Sequence, residues 1–171
     1  MQHRIPPQAA PQRGAHRVDN DASLSAELAA VVTGARRRAQ RDGDRHVDSA
    51  HLLHSLLEHD PEVRAVFGDG PQLARLLGYL VQRSIGYGLR WQASVEDSGA
   101  LPLVTALPEA VGCSPLAAEA MELACARAAG RGEALARGVD LLAGLLVDRR
   151  SRAAEVLGRA GVDVGRLLAV L

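Results

Sequence analysis

The sequence predicts an all-α protein in which a four-helix unit is duplicated about a pseudo-twofold axis. Three observations carry this. Apolar residues make up 47% of the 171-residue chain, yet nearly all are Ala, Leu and Val, and only Phe67, Tyr79, Tyr87 and Trp91 are aromatic. Such a core suits closely packed helices better than a sandwich of sheets, which favours β-branched and aromatic side chains. Leucines and alanines also recur at helical spacing through most of the chain. Finally, the stretch "DSAHLLHSLLEHDP" at 48–61 returns 89 residues later as "RGVDLLAGLLVDRR", keeping the leucines and dropping every histidine.

The first 22 residues are rich in Pro, Gln, Ala and Arg and lack apolar periodicity, so they read as a disordered tail. The ordered domain then spans 23–171. A first helix follows from Leu24, Leu28, Val31, Val32, Ala35 and Ala39, with Gly43 as its stop. Asp48 or Ser49 caps a second, whose inner face is Leu52, Leu53, Leu56 and Leu57. Asp60 caps and Pro61 opens a short third helix ended by Gly68, and Pro71 begins a fourth carrying Leu73, Leu76, Leu77, Leu80, Val81 and Ile85. This first repeat covers about 23–86. The connection 87–113 holds the only Trp and leaves room for a short helix near Leu107–Val111.

The second repeat, about 114–171, replays the order. Ser114 caps and Pro115 opens a helix, "GRG" breaks it, and Leu141, Leu142, Leu145 and Leu146 follow before two short helices. One offset of 89 maps Leu52, Leu53, Leu56 and Leu57 onto those four leucines. It also maps Val32, Ala35 and Ala39 onto Met121, Ala124 and Ala128. One spacing shared by two separate helices marks an internal duplication.

Composition removes several functions. Formal charge is zero, which argues against general attraction to nucleic acid or anionic membrane. All 20 basic residues are arginine, so the sequence has no P-loop lysine, no Schiff-base lysine and no lysine general base. Cys113 and Cys125 are too far apart for a CxxC motif, and Cys125 reads as a small buried apolar residue. No run approaches a membrane span, and the start lacks the apolar stretch of a secretory signal, so the cytoplasm is the expected location. No cofactor is expected.

A duplicated four-helix unit with "HLL-LL" on its second helix resembles the N-terminal domain of the Clp (Hsp100) unfoldases, of the ClpC and ClpA type. The family signature "GTEHLLLALL" stands here as "DSAHLLHSLL" and again as "RGVDLLAGLL", and the turn before the last helix survives as "GRAGVD". The resemblance implies a stand-alone module that binds Clp ATPase or protease subunits, Clp adaptors, client proteins or peptide ligands. In the ClpC branch the domain also recognises phosphorylated arginine, with a helix-one hydroxyl at the phosphate and the signature Glu at the guanidinium. The hydroxyl positions correspond to Ser25 and Ser114, the carboxylate positions to Ala50 and Val139, and the signature His to His51 and Asp140. Both carboxylates are missing, so weak or absent phosphoarginine binding is expected at these pockets. A carboxylate–guanidinium pair is roughly twice as strong as a neutral hydrogen bond.

The histidines His46, His51, His54 and His59 have helical-turn spacing suited to a metal. His51, however, matches a structural position of the family, and His54 and His59 are expected to face outward, so no metal site is assigned. Arg36, Arg37, Arg38, Arg41 and Arg45 make the first helix's outer face basic. Without aromatic residues for base stacking, this reads as a solvated face or a contact for an acidic protein. No nucleophile elbow or Cys–His pairing is present, and no enzyme is expected.

The function expected is therefore non-catalytic binding, as adaptor, regulator or decoy in Clp-dependent unfolding and proteolysis. The binding surface would lie around Ser25, Ala50, Ser114 and Val139 in the groove between halves, with Trp91 as a further anchor. The alternatives are a sponge for a small-molecule or cyclic-peptide ligand of Clp N-domains, and a degenerate paralogue without a ligand. A metal-dependent hydrolase using the histidines is a weaker third.

Overall fold

A computed structural model describes residues 22–68, 70–83, 95–96 and 112–171. In chain order it contains α1 (Ala26–Asp42), β1 (His46–Val47), α2 (Ser49–His59), α3 (Pro61–Phe67), α4 (Pro71–Gln82), β2 (Gly112–Cys113), α5 (Pro115–Gly130), α6 (Gly138–Val147), α7 (Arg152–Arg159) and α8 (Val164–Val170). Residues 1–21 of the expected tail, the Leu107–Val111 helix, Tyr87, Trp91 and Ile85 lie outside the described residues.

The helix ends follow the sequence signals. Ser25, Asp48, Asp60, Ser114, Ser151 and Asp163 each accept a backbone N–H from the first turn of the helix they precede, satisfying donors that would otherwise have no partner. At the end of α1, Gly43 has φ 75° and lets the Asp44 N–H return to the Ala39 carbonyl at 2.9 Å. At the end of α5, Gly132 has φ 76°, and the Glu133 N–H returns to the Ala128 carbonyl, also at 2.9 Å. These two closures stand 89 residues apart.

The same offset relates the contacts that join the halves. Val47 pairs with Cys113 in the short parallel ladder of β1 and β2, and Leu24 forms a parallel bridge with Ala136. Ser114 N donates to Val47 O at 2.8 Å, and Ser25 N donates to Ala136 O at 2.9 Å. Each repeat's opening residues therefore clip onto the segment before the other repeat's second helix. Leu24, read from the sequence as the first residue of a helix, instead sits in this bridge ahead of α1.

The core is built around α2 and α6. Leu52, Leu53, Leu56, Leu57, Leu141, Leu142, Leu145 and Leu146 are all fully buried. α1 lies along α2 and α5 along α6, contributing Leu28, Val31, Val32, Ala35 and Ala39 from one and Ala117, Ala120, Met121, Ala124 and Ala128 from the other. Burying each leucine stabilises by roughly 1.5–3 kcal/mol, and small alanines opposite let the helix axes come close. On α4, Leu76 and Leu80 face this core, but Val81 is 51% exposed and does not join it. Cys125 is likewise only half-buried.

The two repeats treat their central crossing differently. In the first, Ser55 on α2 donates its hydroxyl to the Val31 carbonyl of α1 at 2.6 Å. In the second, the equivalent residue is Gly144, and a Cβ there would lie 2.4 Å from the Ala120 carbonyl oxygen. Backbone cannot retreat as a side chain can. Gly144→Ala should therefore cost about 1–3 kcal/mol through overpacking, read from the midpoint of urea unfolding. Gly158→Ala, on an open face of α7 with nothing near its Cβ, should be neutral or stabilise by up to about 1 kcal/mol. Equal effects at the two glycines would contradict the close crossing.

Candidate functional site

Because the ladder crosses between repeats, the residues singled out by sequence are grouped across the halves. Ser114 follows the strand that pairs with β1, three residues ahead of Ala50, while Ser25 meets Ala136, three residues ahead of Val139. Ala50, His51 and Ser114 are fully buried and Asp140 is nearly so, whereas Ser25 and Val139 are half-buried. Ala50 and Ser114 thus contribute nothing to the accessible surface on which the sequence reading had placed them.

At the Ser114 end a residue from the connection completes the structure. Glu96, 6% exposed, accepts from Ser49 N at 2.7 Å, from Arg152 N at 2.7 Å and from Ser114 Oγ at 3.3 Å, and it also accepts from Ser49 Oγ. Ser49 Oγ in turn accepts from Ala153 N at 2.9 Å. One carboxylate therefore sits at the starts of α2, α5 and α7, where backbone N–H groups and helix dipoles favour negative charge. Sequence reasoning missed Glu96, because nothing in "ASVEDSG" distinguishes it from a solvated loop acid.

Beside it lies a second buried acid. Asp48 Oδ1 accepts the His51 N–H at 2.9 Å, closing the N-cap of α2, while Oδ2 pairs with Arg152 at 2.7 Å and with Arg83. Burial works to raise the Asp48 pKa. The hydrogen bond and charge of His51 oppose it, followed by the Arg83 charge and the Arg152 hydrogen bond, and together they hold the carboxyl far below its ordinary range.

His51 lies between acids: its Nδ1 receives the Asp48 N–H at 3.1 Å and lies 3.0 Å from Asp48 Oδ1, and its Nε2 lies 2.9 Å from Asp44 Oδ2. Asp42, Asp44 and His51 bring ligand atoms within 4.8 Å of one another, a spacing open to a metal ion. With Nδ1 accepting from the backbone, the neutral ring carries its proton on Nε2, facing Asp44.

The second repeat inverts these charges. Asp140 occupies the His51 position, and Arg131 the Asp42 position. Arg131 grips Asp140 through two bonds of 2.6 and 2.9 Å, while Asp140 Oδ2 also accepts the Arg137 N–H at 3.0 Å. Burial works to raise the Asp140 pKa, but Arg131 and the backbone bond prevail and lower it. Near Ser25 the start of α6 is Gly138, where a Cβ would fall 1.9 Å from Asp60 Oδ2. Asp60 is 5% exposed and caps α3 through its other oxygen. An acid therefore fills this end as well.

Among the remaining histidines, His59 is exposed as expected, but His54 is 3% exposed and faces inward. It packs beside Glu58 at 3.4 Å, and Glu58 pairs with Arg38 at 2.5 Å. Burial, then the Arg38 charge, lowers the His54 pKa to about 4. On the basic face, Arg36, Arg37, Arg41 and Arg45 are exposed, while Arg38 is mostly covered.

The fold can be placed among solved structures. It is similar to the N-terminal domain of the caseinolytic-protease-associated chaperone ClpD from Arabidopsis thaliana, with a TM-score of 0.63, 18% identity, and coverage of 86% of this chain and 91% of that one. It is also similar to a chain solved in preliminary structural investigations of a malarial protein secretion system, with a TM-score of 0.62, 15% identity and the same coverages. No family model matches the sequence, and no curated protein does. At these identities the likeness is one of fold, and the fold is Clp N-domain-like.

Two measurements test the electrostatics. Asp48→Ala removes the buried carboxylate shared by Arg83 and Arg152 and the cap of α2, so urea unfolding should report a loss of about 3–5 kcal/mol. Asp48→Asn should lose less, because the amide oxygen still caps α2. For His54, the unfolded chain binds a proton below the ordinary pKa of 6.5 and the folded chain does not until about 4. Stability should therefore fall by up to about 3 kcal/mol as pH drops through that window, and His54→Gln should flatten the slope. A wild-type slope unchanged by the substitution would place the proton elsewhere.

Proposed function

We propose that this chain is a non-catalytic protein- or peptide-binding module acting in Clp-dependent unfolding and proteolysis, as an adaptor, regulator or decoy. The observation that carries the reading is the Clp N-domain-like fold, built on the crossed repeat contacts. The site chemistry supports binding over catalysis. Its buried acids are engaged by helix starts, Arg83, Arg131 and Arg152.

The ligand expected in this reading is not phosphorylated arginine. Ala50 and Val139 stand where the family resemblance calls for carboxylates, and Asp60 and Glu96 bring negative charge to the two ends where a phosphate would sit. The exposed arginines Arg36, Arg37, Arg41 and Arg45 instead supply charge for an acidic protein surface. Among the described residues no helix is long and apolar enough to cross a membrane.

The decisive assay uses a purified Clp ATPase with its protease and a fluorescent model client. Added chain should bind the ATPase, its adaptor or the client in a saturable manner and change the degradation rate. Saturable binding without a rate change would narrow the role to decoy. Absence of binding to any of the three, at concentrations well above those of the assay components, would overturn the reading.

A further inference from the structure

The donors around Glu96 form a receptor in their own right. Ser49 N, Ser49 Oγ, Ser114 Oγ and Arg152 N converge from three helix starts onto one buried carboxylate. Nothing in that donor set is particular to glutamate; any oxyanion offering two or three acceptor oxygens satisfies it. The opposite end of the molecule shows that the arrangement is not a by-product of the repeat. There Gly138 replaces Ser49 and has no hydroxyl. Pro61, first in α3 as Arg152 is first in α7, has no N–H. Asp60 presses its carboxylate against Gly138, so the equivalent cradle has lost donors and gained negative charge.

We propose that Ser49, Ser114 and the Arg152 N–H constitute an oxyanion receptor whose resident ligand is the chain's own Glu96, and that Glu96 denies this site to anionic ligands from solution. Removing its carboxylate opens a site for a free oxyanion. The proposal concerns an intramolecular contact and stands whether or not the chain acts with Clp machinery, so its test is independent of the degradation assay.

The test follows the Ser49 and Arg152 amide resonances by NMR during titration with sodium phosphate, and separately with sodium acetate, at ionic strength held constant with sodium chloride. In the wild-type chain both amides should stay in place. In Glu96→Ala both should shift saturably, with phosphate bound at least about tenfold more tightly than by wild type, a difference of about 1.4 kcal/mol. Should Glu96→Ala be unfolded in chloride, phosphate or acetate should restore the folded spectrum. Saturable shifts of these amides in the wild type would overturn the proposal. So would a folded Glu96→Ala whose amides ignore both anions, or an unfolded one that neither anion rescues.

Discussion

The buried junction at the start of α2 is the constraint on which the rest of the molecule depends. Two carboxylates, Asp48 and Glu96, lie within one residue of each other along α2's first turn, through Asp48 itself and the Ser49 contacts. Buried like-charged acids are costly unless each is compensated. Compensation comes from the Arg83 and Arg152 guanidinium groups on one and helix-start N–H groups on the other. Those partners belong to α2, α7, the Ser114 cap of α5 and the residue following α4. Four elements and the connection are thereby placed relative to one another by directional bonds. The leucine core alone would not do this, because apolar packing is tolerant of sliding and rotation.

The offset of 89 relates two equivalent ends of the fold, and among the described residues this junction stands at one of them. The crossed clips of Ser114 on Val47 and Ser25 on Ala136 present two equivalent ends, each with helix starts converging. The two ends differ in opposite ways. At one end Ser49 and Arg152 retained donors and an acid from the connection filled them. At the other, Gly138 and Pro61 removed donors, and Asp60 closed the space from within the first repeat. The same inversion appears between His51, held by acids, and Asp140, held by Arg131.

For binding, these substitutions turn the two ends inward. Polar groups that could meet a ligand are committed to intramolecular partners, and the hydroxyl of Ser114 is sealed beneath Glu96. Ser25 keeps partial exposure, but its oxygen caps α1 through Leu28 N at 3.1 Å. On the outside, Arg36, Arg37 and Arg41 of α1 remain exposed.

Much of this was legible in the sequence. Helical class, the offset of 89, the central leucines, and the caps Asp60 and Ser114 with the prolines that follow them all follow from local rules: periodicity of 3.6, cap chemistry, and repetition. The inward face of His54 was not legible, since period alone marks it as outside the leucine stripe and only the approach of α1 covers it. Nor was the burial of Ala50 and Ser114, or the exposure of Val81. Glu96 was invisible because its partners lie 47, 18 and 56 residues away, and no local rule links them. The sequence by itself determined which segments are helices and that they come in two copies, because those depend on neighbours within a turn or two. Tertiary structure alone decided which charges meet and which surfaces remain open, because electrostatic partners are chosen by the crossing of chain ends distant in sequence.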